Sequence, residues 1–403
     1  MELNTKKLKG RILSPLSIIN ITFIFFCGAS IYQLVSLDII MGQFYSINNA
    51  YGLYQVLVII FFVFSVNVIY LVTPAFNLLP RKIVVSNVSY NSVIFSVMCV
   101  FFVVIVLFND KYLYFNYLEK VFFSRSITDS YVVMAEFGYD IINSGGLFYY
   151  TVLYFFPLFV FSLSLNSRNR YNKIVFVSFS VLLILLYSMA GRREILLVIP
   201  IIAVLSSKDN NYLIIKVFLS CFLFSILAVI LLMARVKADS FDLSLYLNTQ
   251  EFYPYTYGSY LTVEKLKFFD YEEFKRLFPF YVFNGEDNLS FLTRKEHFNY
   301  SDHGPTVTLL YPLVAFFPIS IFLFMAVISQ LKFLHGKIFS DNKVEGSNVI
   351  LYSFLIIKLF VLVRNGEFGL FFWDVILFVL LLSPVLFLKR KNNYEYISDR
   401  SYL

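Results

Sequence analysis

The chain alternates long apolar runs with short polar connections. Ten runs approach the roughly 20 residues with which an α-helix crosses a bilayer. They lie at 12–37, 53–76, 88–108, 147–165, 174–190, 195–207, 212–234, 306–331, 348–363 and 370–388. The sixth run is short and contains Pro200. The pattern predicts an all-α integral membrane protein of about ten transmembrane helices, with residues 1–403 forming a single membrane domain.

Basic residues in the short connections predict the orientation, because Lys and Arg are retained on the cytoplasmic side. They cluster before the first run, in the second and fourth connections and after the last run, at Lys6, Lys7, Lys9, Arg11, Arg81, Lys82, Arg168, Arg170, Lys173, Lys389, Arg390 and Lys391. The first connection, 38–52, has none. Ten helices, including the short sixth, place all these clusters on one side. Both termini are therefore predicted to be cytoplasmic.

Two connections on the opposite side are long, at 109–146 and 235–305. The second contains His297 and His303 and a run of aromatic residues at 252–260. These tyrosines suit either a belt at the lipid headgroups or a surface on which sugar rings stack. The segment 271–283 has an amphipathic pattern and is predicted to lie along the membrane interface.

Composition narrows the function. Hydrophobic types make up 59 % and charged types 15 % of the 403 residues, and the mean hydropathy is +0.73, which excludes an ordinary soluble enzyme. The net charge of +7 fits basic cytoplasmic loops, so no nucleic-acid partner is expected. Cys27, Cys99 and Cys221 lie far apart in apolar runs and are predicted to be buried free thiols. No nucleotide-binding or metal-binding motif is present, so we expect no cofactor and no metal.

Several arginines lie at predicted outer helix ends, where the cytoplasmic bias of basic residues works against them. They are Arg192, Arg193, Arg235 and Arg364. Arginine at a membrane surface often only extends to the headgroups. A second interpretation is that several of them converge on one anion, because guanidinium binds phosphate in a bidentate manner and keeps its charge. A lipid-linked pyrophosphate is such an anion. We predict that at least three of the four line one outward-facing cavity beneath the loop 235–305, with His303 or Glu367 at its rim.

Two opposite charges flank the last outer turn. Lys358 and Asp374 each lie eight residues from Gly366, which on antiparallel helices gives a shared depth of about 12 Å. A lone charge at such a depth costs at least about 2.5 kcal/mol. We therefore predict that Lys358 and Asp374 form an intramembrane pair, with a structural role or a role in orienting substrate phosphate.

This layout resembles the Wzy-type O-antigen polymerases, which join oligosaccharide repeat units in bacterial envelopes. The resemblance covers the whole chain. It rests on the aromatic-rich spans, the Gly191-Arg192-Arg193 turn, the long loop beginning at Arg235, and the stretch from Asp302-His303-Gly304-Pro305 to Tyr311. Many relatives continue there with Gly-Glu-Leu-Tyr, whereas this chain continues with Pro312-Leu313-Val314-Ala315 and has no Glu.

The resemblance implies a fold like the C-type membrane glycosyltransferases in the bacterial inner membrane, with 109–146 and 235–305 as periplasmic loops. It implies a metal-independent block transfer between undecaprenyl-pyrophosphate-linked glycans, which serve as donor and acceptor. Membrane lipids and a chain-length regulator protein are the further partners. The four arginines would stabilise the leaving pyrophosphate. The candidates for the base that deprotonates the acceptor hydroxyl are His303, His297, Glu194 and Glu367.

Other functions remain open at this point. An O-antigen ligase uses the same donor and delivers it to lipid A–core. A lipid-linked oligosaccharide flippase carries out no chemistry, and it would favour about twelve helices in two related halves with short loops. A membrane acyltransferase should take an acyl-CoA from the cytoplasmic side, where the loops are short.

Overall fold

The computed structural model describes residues 8–36, 52–78, 83–86, 270–283, 307–340, 346–386 and 388–390, with scattered positions between 92 and 292. Its helices are α1 (Pro15–Ser36), α2 (Gly52–Val72), α3 (Tyr271–Lys275), α4 (Phe280–Phe283), α5 (Leu310–Ala315), α6 (Ile319–Ser340), α7 (Gly346–Asn365) and α8 (Phe368–Leu386). Its strands are β1 (Ile83–Val85) and β2 (Leu388–Arg390). The described part is therefore mostly helical.

Three of the described helices are long and apolar enough to cross a membrane, at Tyr54–Val72, Ile319–Phe339 and Asn348–Asn365. Two shorter apolar stretches, Pro15–Gly28 and Phe368–Leu380, lie in α1 and α8. These five correspond to predicted spans one, two, eight, nine and ten. The isolated positions described within 88–108, 174–190, 195–207 and 212–234 are also helical.

The eighth predicted span was wrong in its bounds. The apolar run at 306–331 was expected to form one helix, whereas the structure has the short α5, a turn at 316–318, and then α6, which continues to Ser340. Pro318 explains the break, because proline has no N–H to donate and restricts the residue before it. Beyond the apolar run, α6 includes Lys332, His335 and Lys337 in its last turns.

The described residues fall into two units. The first lies within Met1–Asn77, Glu194–Val344 and Leu351–Val375, and the second within Leu78–Arg193, Glu345–Ile350 and Ile376–Leu403. In the second unit β1 pairs in parallel with β2, with Ile83 opposite Leu388 and Val85 opposite Arg390. This pair departs from the all-α prediction, and it places the second connection beside the segment that follows α8.

In the first unit α1 and α2 form an antiparallel pair. The rings of Phe23 and Phe62 meet edge to face, with centroids 5.2 Å apart. The Asn20 and Asn67 amides exchange two hydrogen bonds of 3.1 and 2.9 Å. Amide pairs of this kind bind transmembrane helices to each other and fix their register. The opposite side of α2 exposes large apolar side chains, among them Phe61 and Phe64, as expected of a helix that faces lipid.

Polar contacts gather the residues just before α1, the end of α2 and the last turns of α6 at one end of this unit, which we call the basic end. Lys332 Nζ donates to the Tyr70 and Thr73 carbonyl oxygens at 2.8 and 2.6 Å. His335 Nε2 lies 2.7 Å from the Gly10 carbonyl oxygen. The Tyr352 hydroxyl, in the first half of α7, donates to the Leu13 carbonyl. The α7–α8 turn lies at the other end of α7.

Of the cysteines, Cys27 is free and buried, as predicted, whereas Cys99 is free and exposed. The prediction of a buried thiol was therefore wrong for Cys99. Cys221 lies outside the described residues.

Candidate functional site at the α7–α8 turn

A glycine turn joins α7 to α8. Gly366 has a φ of 67°, and its N–H donates to the Leu362 carbonyl at 2.8 Å, which ends α7. A Cβ at this position would lie 2.4 Å from the Thr308 carbonyl oxygen. The neighbouring Leu309 N–H donates to the Val363 carbonyl at 3.3 Å. Glycine is required here both for the left-handed turn and for the close approach of the chain entering α5.

Residues 270–283, which we call the cap segment, pack on α5. Asp270 begins α3 by accepting hydrogen bonds from the Glu272 and Glu273 N–H groups at 2.8 and 3.3 Å, a standard N-cap. The Tyr311 hydroxyl of α5 donates to Glu273 Oε2 in a buried hydrogen bond. The Phe274 and Phe316 rings lie with their centroids 6.0 Å apart. The cap segment is thus held to α5 by one polar and one aromatic contact.

The cap segment also packs directly on the first turn of α8. A Cβ on Gly369 would lie 2.4 Å from Tyr281 Cε1, 2.5 Å from the Arg276 carbonyl oxygen and 2.7 Å from the Phe278 carbonyl oxygen. Because two of these atoms belong to the backbone, only glycine allows the approach. The buried side of the segment carries the charged Glu273 and Arg276. The amphipathic pattern of 271–283 did not predict buried charges. The position of this segment along the membrane interface stays a prediction.

Tyr281 lies among ionisable groups. The Arg276 guanidinium is 5.4 Å from the centre of the Tyr281 ring. Burial raises the pKa of Tyr281 well above its usual range, the Glu367 and Asp374 carboxylates raise it further, and Arg276 opposes them. Carboxylates disfavour a second negative charge nearby, so the phenol stays protonated at neutral pH.

The predicted pair of Lys358 and Asp374 is present. Lys358 Nζ lies 2.6 Å from Asp374 Oδ2, and the two side chains are only 6 % and 10 % exposed. The eight-residue spacing on each side of Gly366 placed them at one depth, as the sequence predicted. The Phe354 ring also lies near the ammonium group, 5.7 Å away. The geometry of the pair is confirmed, while its role stays a prediction.

The structure describes only some of the other predicted site residues. Glu367 is buried at the start of α8, and Arg364 is partly buried in the last turn of α7. The remaining candidates lie outside the described residues, namely Arg192, Arg193, Arg235, Glu194, His297 and His303. The convergence of the four arginines on one cavity stays a prediction.

The sequence analysis did not propose four residues of this region as site residues, which are Glu273, Arg276, Tyr281 and Tyr311. A signal for two of them was available, because Glu273 and Arg276 are spaced three residues apart and therefore share a helix face. The partner of Glu273 could not be found this way. Tyr311 lies 38 residues further along the chain, and no periodicity connects the two positions.

Of the described charged residues around the turn, five are buried and Arg364 is partly buried, which gives three acidic and three basic side chains: Glu273, Asp374, Glu367, Lys358, Arg276 and Arg364. Their formal charges cancel. An arrangement of this kind keeps fixed charges and dipoles in a weakly screened environment. It can orient a polar substrate and hold a carboxylate beside it. To neutralise a strongly anionic substrate it would need further positive charge.

Within the described ranges, no group of three His, Cys, Asp or Glu side chains could hold a metal ion. The fold and the apolar helices define a mostly helical integral membrane protein with a buried polar cluster at the end of two adjacent helices. Comparisons of the chain with protein-family models, with curated proteins and with solved structures find no match.

Proposed function

We propose that the chain polymerises undecaprenyl-pyrophosphate-linked oligosaccharide repeat units into O-antigen or a similar surface polysaccharide. In this proposal it is a glycosyltransferase of the bacterial inner membrane with about ten transmembrane helices and cytoplasmic termini. The observation that carries it is the buried polar cluster around Glu367, Arg364 and Arg276. This cluster lies at the end of α7 away from the basic end, where the sequence predicts the periplasmic face.

The chemistry is a block transfer. A hydroxyl oxygen of the acceptor unit attacks the anomeric carbon of the donor glycan and forms the new glycosidic bond. The bond from that carbon to the pyrophosphate oxygen breaks, and undecaprenyl pyrophosphate leaves with the electron pair. The hydroxyl proton passes to a base, for which Glu367 is the described candidate beside His303, His297 and Glu194.

Charge supports a role for the arginines outside the described residues. The six described ionisable groups sum to zero formal charge, so they cannot by themselves neutralise a pyrophosphate. Arg192, Arg193 and Arg235 would add three positive charges. Donors that are already in place where negative charge develops are the most effective electrostatic stabilisers of a leaving group.

The glycan phenotype of a deletion strain tests the proposal. Loss of long chains, with one repeat unit retained on the lipid A–core, is the result expected of a polymerase. Loss of every unit would overturn the proposal and indicate a ligase or a flippase.

Complementation then tests the arginine. Arg364→Lys keeps the charge but loses the planar bidentate fork, so this variant should restore only short chains. The matched control is Arg11→Lys, at an exposed arginine of the basic end, which should restore normal chains. Near-normal chain length with Arg364→Lys would remove the phosphate role of Arg364.

A further inference from the structure

Two hydrogen-bonding oxygen atoms at the Gly366 turn are buried without a hydrogen-bond partner among the described residues. Thr308 Oγ1 and Asn365 Oδ1 are buried, and no described residue forms a hydrogen bond with either atom. Thr308 has no exposed surface at all. Buried polar groups are almost always hydrogen-bonded in folded proteins, so each exception requires an explanation.

The backbone brings these two residues to the same turn. The Thr308 carbonyl oxygen would lie 2.4 Å from a Cβ on Gly366, the residue after Asn365. The Leu309 N–H bonds to Val363 on the same turn. Glu367, the described candidate for the base, follows Gly366 directly. Thr308 therefore lies beside the turn that carries Asn365 and Glu367.

The chemistry of the two atoms restricts what can satisfy them. The threonine hydroxyl both donates and accepts, whereas the amide oxygen only accepts. A phosphate offers only acceptors at neutral pH and leaves Asn365 Oδ1 without a donor. A sugar hydroxyl both donates and accepts, so neighbouring hydroxyls on one ring satisfy both atoms.

We propose that Thr308 and Asn365 form a carbohydrate subsite that holds hydroxyl groups of the acceptor glycan beside Glu367. This inference rests on the proposed function, and it adds the place and the residues of acceptor recognition. Both oxygens are closed to water in this structure, so the subsite is filled only when the turn is uncovered. The cap segment packs on Gly369, three residues after Gly366, and it bonds to Tyr311, three residues after Thr308. In this proposal, movement of the cap segment uncovers the turn between them.

The test separates stability from acceptor use. Thr308→Val keeps the shape of the side chain and removes the unpaired hydroxyl. Because an unsatisfied buried group destabilises the folded state, the variant should unfold at a higher temperature than the wild type. It should also need about threefold to tenfold more acceptor for half-maximal rate, the loss expected for one hydrogen bond. Its dependence on donor concentration should not change, and Thr308→Ser should behave as the wild type.

Ser353 provides the matched control. Its hydroxyl is also buried without a described partner, but it lies in the first half of α7, beside the Tyr352 that bonds to Leu13. Ser353→Ala should raise the unfolding temperature and leave acceptor use unchanged. An unchanged acceptor requirement in Thr308→Val would overturn the subsite. A lower unfolding temperature would overturn it too, because the hydroxyl would then be bonded within the protein.

Asn365→Asp distinguishes the ligand class. A carboxylate still accepts from a sugar hydroxyl, so acceptor use should be retained, whereas Asn365→Leu should lose it. Loss in Asn365→Asp, with a raised donor requirement in Thr308→Val, would indicate a phosphate and overturn the carbohydrate assignment.

Binding of the released repeat-unit oligosaccharide, measured as a shift in unfolding temperature, keeps the two proposals distinguishable. If the wild type forms no polymer but is stabilised by this glycan, and Thr308→Val is not, the subsite stands and the proposed reaction fails. If polymer forms and the glycan stabilises wild type and Thr308→Val equally, the subsite fails alone.

Discussion

At the scale of single residues, the Lys358–Asp374 pair is the feature that most needs a physical reason. Removing two charges from water is costly, and their attraction offsets this cost only when the geometry is good. A distance of 2.6 Å between nitrogen and oxygen meets that condition. Removing either partner alone would leave an uncompensated charge inside the helical unit. We therefore expect the loss of one partner to destabilise the protein more than the intact pair stabilises it.

A double-mutant cycle tests this. Lys358→Met and Asp374→Asn should each lower the free energy of unfolding by about 3–5 kcal/mol. The double variant should recover part of that loss, because no isolated charge remains. The exposed pair of Lys275 and Glu272, at a similar distance of 2.7 Å, is the control, and Lys275→Met should change stability by less than about 1 kcal/mol. Additive losses at 358 and 374 would show that the two side chains do not depend on each other.

At the scale of elements, the contact between the cap segment and α8 depends on the absence of a side chain at Gly369. Gly369 lies in the first turn of α8, where alanine would favour the helix by about 1 kcal/mol. The same alanine would collide with backbone oxygens of Arg276 and Phe278. Because these oxygens cannot rotate away as a side chain does, the collision displaces the cap segment rather than the helix.

Limited proteolysis should detect that displacement. In Gly369→Ala, trypsin should cleave after Lys275 or Arg276 faster than in the wild type, and the chain should lose polymerising activity. Gly336→Ala is the control, because a Cβ at Gly336 meets nothing within 4 Å. Equal cleavage rates in wild type and Gly369→Ala would show that the contact does not hold the cap segment.

The elements also show what the sequence can predict. The period and length of apolar runs predicted α1, α2, α7 and α8 to within a few residues, since each run is bounded by polar or charged residues. The same reasoning gave the wrong bounds for α6. The apolar run continues through Pro318, whereas the helix is interrupted there. The Lys358–Asp374 contact was predictable because a short turn fixes the register of two adjacent helices. The Glu273–Tyr311 contact was not, since the two residues lie 38 positions apart and no short turn links them.

At the scale of the whole molecule, the orientation depends on which helix ends lie on the same side of the membrane. Within the first unit, the contacts of Lys332, His335 and Tyr352 bring together segments that the positive-inside rule assigns to the cytoplasm. In the second unit, the pairing of β1 with β2 joins the second connection to the segment after α8, and the rule assigns both to the cytoplasm. These contacts support the predicted alternation for the described helices.

Reporter fusions identify the side. Alkaline phosphatase fused after Lys265 should be active, because 235–305 is predicted to be periplasmic. A fusion after Lys343 should be inactive, and it is placed there because α6 continues to Ser340. The opposite result would reverse the orientation and move the polar cluster to the cytoplasmic face.

The central claim is that this protein joins lipid-linked repeat units by itself. Purified protein in proteoliposomes, supplied only with undecaprenyl-pyrophosphate-linked repeat units, tests it most directly. Polymerisation should give a ladder of products that differ by one repeat unit, with release of undecaprenyl pyrophosphate. Arg364→Lys should give a shorter ladder. Repeat units that stay single, or that cross the bilayer without forming a new bond, would contradict it.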